Sequence, residues 1–339
     1  GRSRKDTAWR NESLDWSAFI EKISSPYKTR ETFAEYKDMP KQQRDEIKDI
    51  GGFVGGALQG GRRKAENVRW RSLITLDADY AKRIVDKPDF ACAMYTTHSH
   101  SPEAPRFRLI IPLKRAVTPE EYPAVARKVA ERFDIEIFDP TTYEIHRLMY
   151  WPSVSADGDF KSWHVDGPWI DPDEILAEYD DWRNPLEWPT SSRESKARTR
   201  EAKRQGDPLE KKGWVGAFCK TYDIESAIEV FLSDVYEKHS EDRYTYKEGS
   251  TTGGLVIYDD GRFAYSFHGT DPAGGKLLNS FDLVRIHKFG DLDDEAEPGT
   301  PTHRLPSYKA MVEFASQDDE TKKTMGLEQI GEAKEEFAD

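Results

Sequence analysis

Apolar runs in the first half of this chain each end in polar groups. Leu73 to Leu76 runs into Asp77-Ala78-Asp79, and Phe90 to Thr96 runs into Thr97-His98-Ser99-His100. From Pro105 to Leu113, Arg106 and Arg108 alternate with Phe107 and Leu109. Short runs of this kind, bounded by polar breakers, predict three strands. Two more strands are predicted over Ile135 to Pro140 and Leu148 to Pro152. Helical patterning predicts segments over Leu14 to Ile23, Arg30 to Tyr36, Gln42 to Ile50 and Tyr80 to Val85. Thr118-Pro119-Glu120-Glu121 reads as a helix start, with Thr at the N-cap and Pro and Glu at the first and third positions, and the helix runs through Phe133. Asp171-Pro172-Asp173-Glu174 starts a closing helix through Tyr179. This order predicts an α+β domain over residues 1–188, with helices covering one face of a mostly antiparallel sheet.

The pattern then changes. Residues 189–206 are Ser-rich and basic with no apolar period, and they read as a linker. A second α+β domain is predicted over 207–292. It opens with two short helices, Asp223 capping the second, and continues as strands near Tyr244 to Lys247, Leu255 to Tyr258 and Phe263 to Phe267. Asp259-Asp260-Gly261-Arg262 supplies a tight hairpin turn, and Ser280 to Lys288 a helix. From 293 to 339 the chain turns acidic and poor in apolar residues, and reads as a mobile or helical tail leading towards a downstream region.

Composition narrows the classes. The net charge of −13 over 339 residues argues against a uniformly basic DNA-coating protein, and leaves local basic surface as the place for nucleic acid. Two distant cysteines, Cys92 and Cys219, point to a reducing cytoplasm rather than a disulfide framework. No apolar segment is long enough for a membrane span.

Candidate chemistry sits at the strand ends. Residues i and i+2 of a strand share a face, so Asp77 and Asp79 stand side by side. Either a divalent cation relieves their repulsion, or Asp79 caps a helix that begins at Tyr80. His98 and His100 share a face in the same way, as do Arg106 and Arg108, which read as a triphosphate clamp or as charges protecting an edge strand. Six glycines over residues 51–61 lead into Arg62-Arg63-Lys64. That stretch reads as a phosphate-approaching, nucleic-acid-binding loop or as a solvated charge run, and the Gly-Lys-Ser/Thr ending of a Walker loop is missing.

Leu76-Asp77-Ala78-Asp79, Thr96-Thr97-His98-Ser99-His100 and Phe138-Asp139 together resemble the three motifs of archaeo-eukaryotic primases. The nearest resemblance is to phage and prophage primase-polymerases of the virulence-associated E type primase-helicases. The resemblance implies an RRM-like catalytic sheet, and two Mg²⁺ or Mn²⁺ ions held by Asp77, Asp79 and Asp139 for nucleotidyl transfer. It implies a triphosphate contact from His98, with His100 the alternative, and a basic contact after the third acid, for which Arg147 or His146 fits. Implied partners are a single-stranded DNA template, NTPs or dNTPs and a fused or associated helicase, in the cytoplasm of a bacterial host, with no membrane. Trp163 and Trp169 either stack template bases or pack the domain. Residues 207–292 are similar in layout to the zinc ribbon of bacterial-type primases, but only His268 stands near a ligand position, so a zinc-free module is expected, contacting template or primer or linking to a motor.

Two rivals remain. A rolling-circle nuclease would use His98 and His100 on one metal and a tyrosine nucleophile, though it leaves the three acids without a shared role. A non-catalytic single-stranded nucleic-acid-binding module would use the acids only as caps and turns.

Overall fold

The computed structural model describes residues 1–183, 187–196, 206–249, 252–296 and 300–336. These fall into two compact units, one within residues 1–195 and the other from 206 onward. The overall class is mixed α/β, with antiparallel sheets and packed helices.

In the first unit, helices α1 (Trp16–Ser24), α2 (Phe33–Asp38) and α3 (Lys41–Ile47) lie around the two-residue strand β1 (Tyr27–Lys28). Strands β2 (Gly52–Phe53), β3 (Gly56–Leu58), β4 (Val68–Ala78), β5 (Cys92–Thr96) and β6 (Phe107–Val117) follow. Helix α4 (Glu121–Glu131), strands β7 (Met149–Tyr150), β8 (Ser153–Val154) and β9 (Ser162–Val165), and helix α5 (Pro172–Leu176) complete the unit. The main sheet has the order β3-β4-β6-β5-β9, and all its pairings are antiparallel.

The register sets the face of each side chain. Asp77 pairs with Arg108, which pairs with Tyr95, so these three share one face with Ala93 and Ile110. Phe19 and Ile23 of α1 close that face over Ala93, Tyr95 and Ile110. Ile74, Leu76, Leu109 and Ile111 point the other way and are fully buried, with α4 packed along β4 and α5 against β6. The capping box at Thr118 is formed as expected. Its hydroxyl accepts from the Glu121 amide at 3.2 Å, and Glu121 accepts from the Thr118 amide at 2.8 Å.

Several expected elements differ. Residues 80–85 form no helix, so Asp79 caps none. The expected strand at 135–140 is a pair of 3₁₀ turns, Ile135–Ile137 and Pro140–Tyr143, and the strand at 148–152 shrinks to β7. The helices cover both faces of the sheet rather than one. The glycines at 51–61 are not a free phosphate loop. A Cβ at Gly52 would lie 2.3 Å from the Met149 carbonyl, and one at Gly56 would lie 2.0 Å from that of Trp70, so these positions serve close strand approach.

The second unit has helices α6 (Gly213–Thr221) and α7 (Ile224–Phe231), then strands β10 (Tyr236–Ser240), β11 (Arg243–Tyr246), β12 (Leu255–Tyr258), β13 (Phe263–Ser266) and β14 (Leu277–Leu278) as an antiparallel meander. Asp223 caps α7, and the turn at Asp259 and Asp260 has φ values of 54° and 51°. Helices α8 (Ser280–Phe289), α9 (Pro306–Gln317) and α10 (Asp319–Glu336) follow. The expected tail is therefore largely folded into this unit. Met311 and Ala315 of α9 are fully buried in its core, and Tyr222 donates to Asp318 at 3.1 Å. The acidic composition marks the solvent side of these helices, not disorder. His268 is also a core group: its Nε2 accepts from the Tyr246 amide at 3.0 Å. Residues 197–205 of the basic 189–206 stretch lie outside the described residues; at its start Ser191 is buried and Glu194 pairs with Arg127 at 2.6 Å.

Candidate active site

The three acids converge because β4 has a free edge. Strand β3 pairs only with residues 68–71 of β4, which leaves the edge at Thr75 and Asp77 open. The turn at 139–143 fills it. The Asp139 amide donates to the Asp77 carbonyl at 2.8 Å. The buried Thr142 hydroxyl accepts from the Asp77 amide at 3.0 Å and donates to the Thr75 carbonyl at 2.9 Å. A turn docked this way satisfies backbone groups that a neighbouring strand would otherwise take. It also brings Asp139 beside the Asp77 strand end.

Each acid faces an arginine. Arg108 meets Asp77 at 3.1 Å, Arg106 meets Asp79 at 3.1 Å, and Arg147 meets Asp139 at 3.3 Å. Burial works against the Arg108 charge, but Asp77 outweighs it and holds the guanidinium above its ordinary value. Arg108 also donates to the Tyr150 carbonyl at 3.2 Å, which the Tyr95 hydroxyl shares at 2.8 Å. Burial first, and then the Asp77 and Asp139 charges, push Asp79 above the usual carboxylate range. Carboxylates this close to Asp79 form, with it, a site poised for cations.

All six of these side chains line one cavity of about 380 Å³. Its other cations are Arg4, Lys41, Lys48 and Arg63, and its one further carboxylate is Asp45. Arg4 and Lys48 share Asp45, at 3.2 and 2.8 Å. Seven cations against four carboxylates make the cavity locally positive in a chain of net charge −13. Sequence reasoning missed Arg4, Lys41 and Lys48. A usable signal existed for two of them: Lys41 and Lys48 are seven residues apart at α3, two turns along one face.

The remaining expected residues divide. His98 lines the cavity, but both its ring nitrogens are engaged, with Ser153 Oγ at 2.9 Å and Glu31 Oε1 at 3.0 Å. Tyr36 covers its ring at 4.4 Å, and burial lowers its pKa in spite of Glu31. His100 is buried away from the cavity lining. Its Nδ1 accepts from the Arg106 amide at 3.2 Å, and its Nε2 faces the Asp159 carboxylate at 3.6 Å. His146 points elsewhere, and burial, aided by Arg63, pushes it down to about 4. Of the basic run, only Arg63 reaches the cavity. Lys64 pairs with Glu66 at 3.5 Å, and Arg62 is exposed. Arg71, unremarked in the sequence, is fully buried with no acid partner. Its guanidinium donates to the carbonyls of Gly55, Ile145 and Leu73 and to Thr75 Oγ1, and lies 4.0 Å from the Tyr122 ring. These contacts offset the desolvation of the charge and tie the backbones at 55, 73 and 145 together.

The donors suit a divalent cation in kind. Carboxylates are the hard oxygen ligands that Mg²⁺ and Mn²⁺ prefer. Asp77 Oδ1 is buried with no hydrogen-bond partner, an acceptor that a cation would satisfy. Among the described residues, no three His, Cys, Asp or Glu stand in a ligating cluster, because each acid is turned to its arginine. No described helix is long and apolar enough to cross a membrane.

The family model described as VapE N-terminal domain matches residues 1–191. A solved structure, the AEP domain of the cyanophage S-2L primase-polymerase, is similar at 14% identity and a TM-score of 0.28. The similarity covers 37% of this chain and 66%, just under two thirds, of that one. No curated protein matches the chain.

Proposed function

The chain belongs to the VapE N-terminal domain family, and from that premise we propose that its first unit is the catalytic part of a primase-polymerase of the archaeo-eukaryotic type. We read the β3-β4-β6-β5-β9 sheet as the RRM-like catalytic sheet. The observation that carries the reading is the meeting of Asp77, Asp79 and Asp139 in one cavity whose lining holds seven cations.

In this reading the three carboxylates hold two divalent cations. Such ions, when bound, favour ionisation of an attacking 3′-hydroxyl and offset phosphate charge. The chain's own residues do the rest. Arg106, Arg108 and Arg147 neutralise the acids, and with divalent cations on the carboxylates their guanidiniums would be available to phosphate oxygens. An arginine is suited to this exchange because its planar fork binds carboxylate and phosphate equally well. Arg4, Lys41, Lys48 and Arg63 in the same lining supply excess positive charge, which draws a nucleotide into an otherwise acidic protein. His98 is fixed between Glu31 and Ser153, and it lines the cavity as a positioned wall with both ring nitrogens engaged. His100 contributes through the Arg106 amide. The substrates are NTPs or dNTPs and single-stranded DNA, the setting is a bacterial cytoplasm, and a helicase is the expected fused or associated partner.

The test is incorporation of labelled nucleotide on single-stranded DNA with Mg²⁺ or Mn²⁺. Asp77→Asn and Asp139→Asn abolish product while the variants still bind DNA. A covalent tyrosine–DNA adduct would instead support the rolling-circle nuclease and defeat this reading.

A further inference from the structure

A second cavity, of about 570 Å³, lies in the same unit and has no role in the chemistry above. Five of the chain's nine tryptophans line it: Trp9, Trp16, Trp70, Trp151 and Trp169. Large aromatics ordinarily go to a core, but Trp70 and Trp169 remain 42% and 43% exposed. Trp169 meets Trp16 edge-on, with centroids 6.5 Å apart. Lys22 stands 4.0 Å over the Trp151 ring, and the lining carries Arg2, Arg10 and Lys22 against Asp6 and Glu12. Trp151 also lines the acid-bearing cavity, so one side chain borders both. Leu73 lies in this cavity and Asp77 in the other, four residues apart along β4, or about 13 Å of strand.

We propose that this cavity holds unpaired bases of single-stranded DNA, with Trp70 and Trp169 as stacking surfaces and Lys22 and Arg10 towards the phosphates. Bases stack on aromatic faces whatever their sequence, and neighbouring cations follow the backbone. This proposal rests on the polymerase reading only for its choice of DNA as the strand; the binding itself requires neither metal nor nucleotide.

The experiment is titration of the full chain with oligo(dT), without metal or nucleotide, followed by tryptophan fluorescence and by anisotropy of labelled DNA. The wild type is quenched on binding. Trp70→Ala and Trp169→Ala each weaken affinity by roughly 5- to 100-fold, the equivalent of about 1–3 kcal/mol of stacking. Trp169→Phe keeps a stacking face and restores most of the affinity, which separates loss of stacking from loss of fold; circular dichroism checks the fold of each variant. Weakened binding by the alanine variants, with incorporation absent from the wild type, would uphold the cavity and reject the polymerase. Wild-type affinity in folded Trp70→Ala and Trp169→Ala overturns the proposal whether or not the chain polymerises.

Discussion

Replacing Thr142 by Val tests the contact that assembles the acids. The residue is fully buried, and Val fills nearly the same volume, so no cavity opens. What is lost is the hydroxyl that accepts from the Asp77 amide at 3.0 Å and donates to the Thr75 carbonyl at 2.9 Å. Each bond contributes about 1 kcal/mol, and each buried group left unpaired costs about 1–3 kcal/mol, so the change destabilises by about 2–5 kcal/mol. With a urea slope of about 2 kcal/mol per molar, the unfolding midpoint of the first unit falls by about 1–2.5 M. The turn carrying Asp139 is then held on this edge chiefly by the Asp139 amide on Asp77, and nucleotide incorporation falls at least about tenfold below the unfolding transition. Thr142→Ser keeps both bonds and stays near wild type. A Val variant within about 0.5 kcal/mol of wild type would mean that the β4 edge does not depend on this hydroxyl, and the assembly argument would fail.

Arg108→Met leaves Asp77 buried without its cation and costs about 3–5 kcal/mol in urea unfolding, and adding Asp77→Asn recovers much of the loss; a double variant no better than the single one would show that the pair is not coupled. Burial pushes His268 down to about 4 from an ordinary 6.5, so the unfolded chain binds the extra proton between these values. This contribution is complete above pH 6.5 and is lost as the pH falls through 4, amounting to roughly 3 kcal/mol, and denaturant melts of wild type and His268→Gln at pH 7.5 and 4.5 should show a flatter dependence in the variant. Met311→Ala empties part of the second unit's core and lowers its stability by about 2–5 kcal/mol; an unchanged melt would restore the picture of a loose tail.

The sequence carried the main strands well because their apolar runs are long and end abruptly, and the Thr118 capping box because its residues are local. The closeness of Asp77 to Asp79 was legible for the same reason: they stand two residues apart where one strand ends. What joins Asp139 to them was not legible. Thr142 and the Asp139 amide act across more than sixty residues on a strand edge that no periodicity reports. The arginines were placed near the acids, but their pairing one to one is a product of register, Asp77 opposite Arg108, which sequence leaves open. Arg4, Lys41 and Lys48 come from an N-terminal segment whose path over the sheet is a tertiary fact. The glycines misled because close strand packing and phosphate approach make the same demand for a missing Cβ. The acidic stretch from 306 misled because its apolar residues are sparse, yet Met311 and Ala315 are placed to reach a core.

The central claim is that the acid cavity performs template-directed nucleotidyl transfer. The direct measurement is incubation of the chain with single-stranded DNA and labelled NTPs or dNTPs, with Mg²⁺ and separately with Mn²⁺, followed by gel resolution of products. The account predicts labelled strands with at least one metal from the wild type and none from Asp139→Asn. Absence of product from the folded wild type with both metals and both nucleotide classes would contradict it.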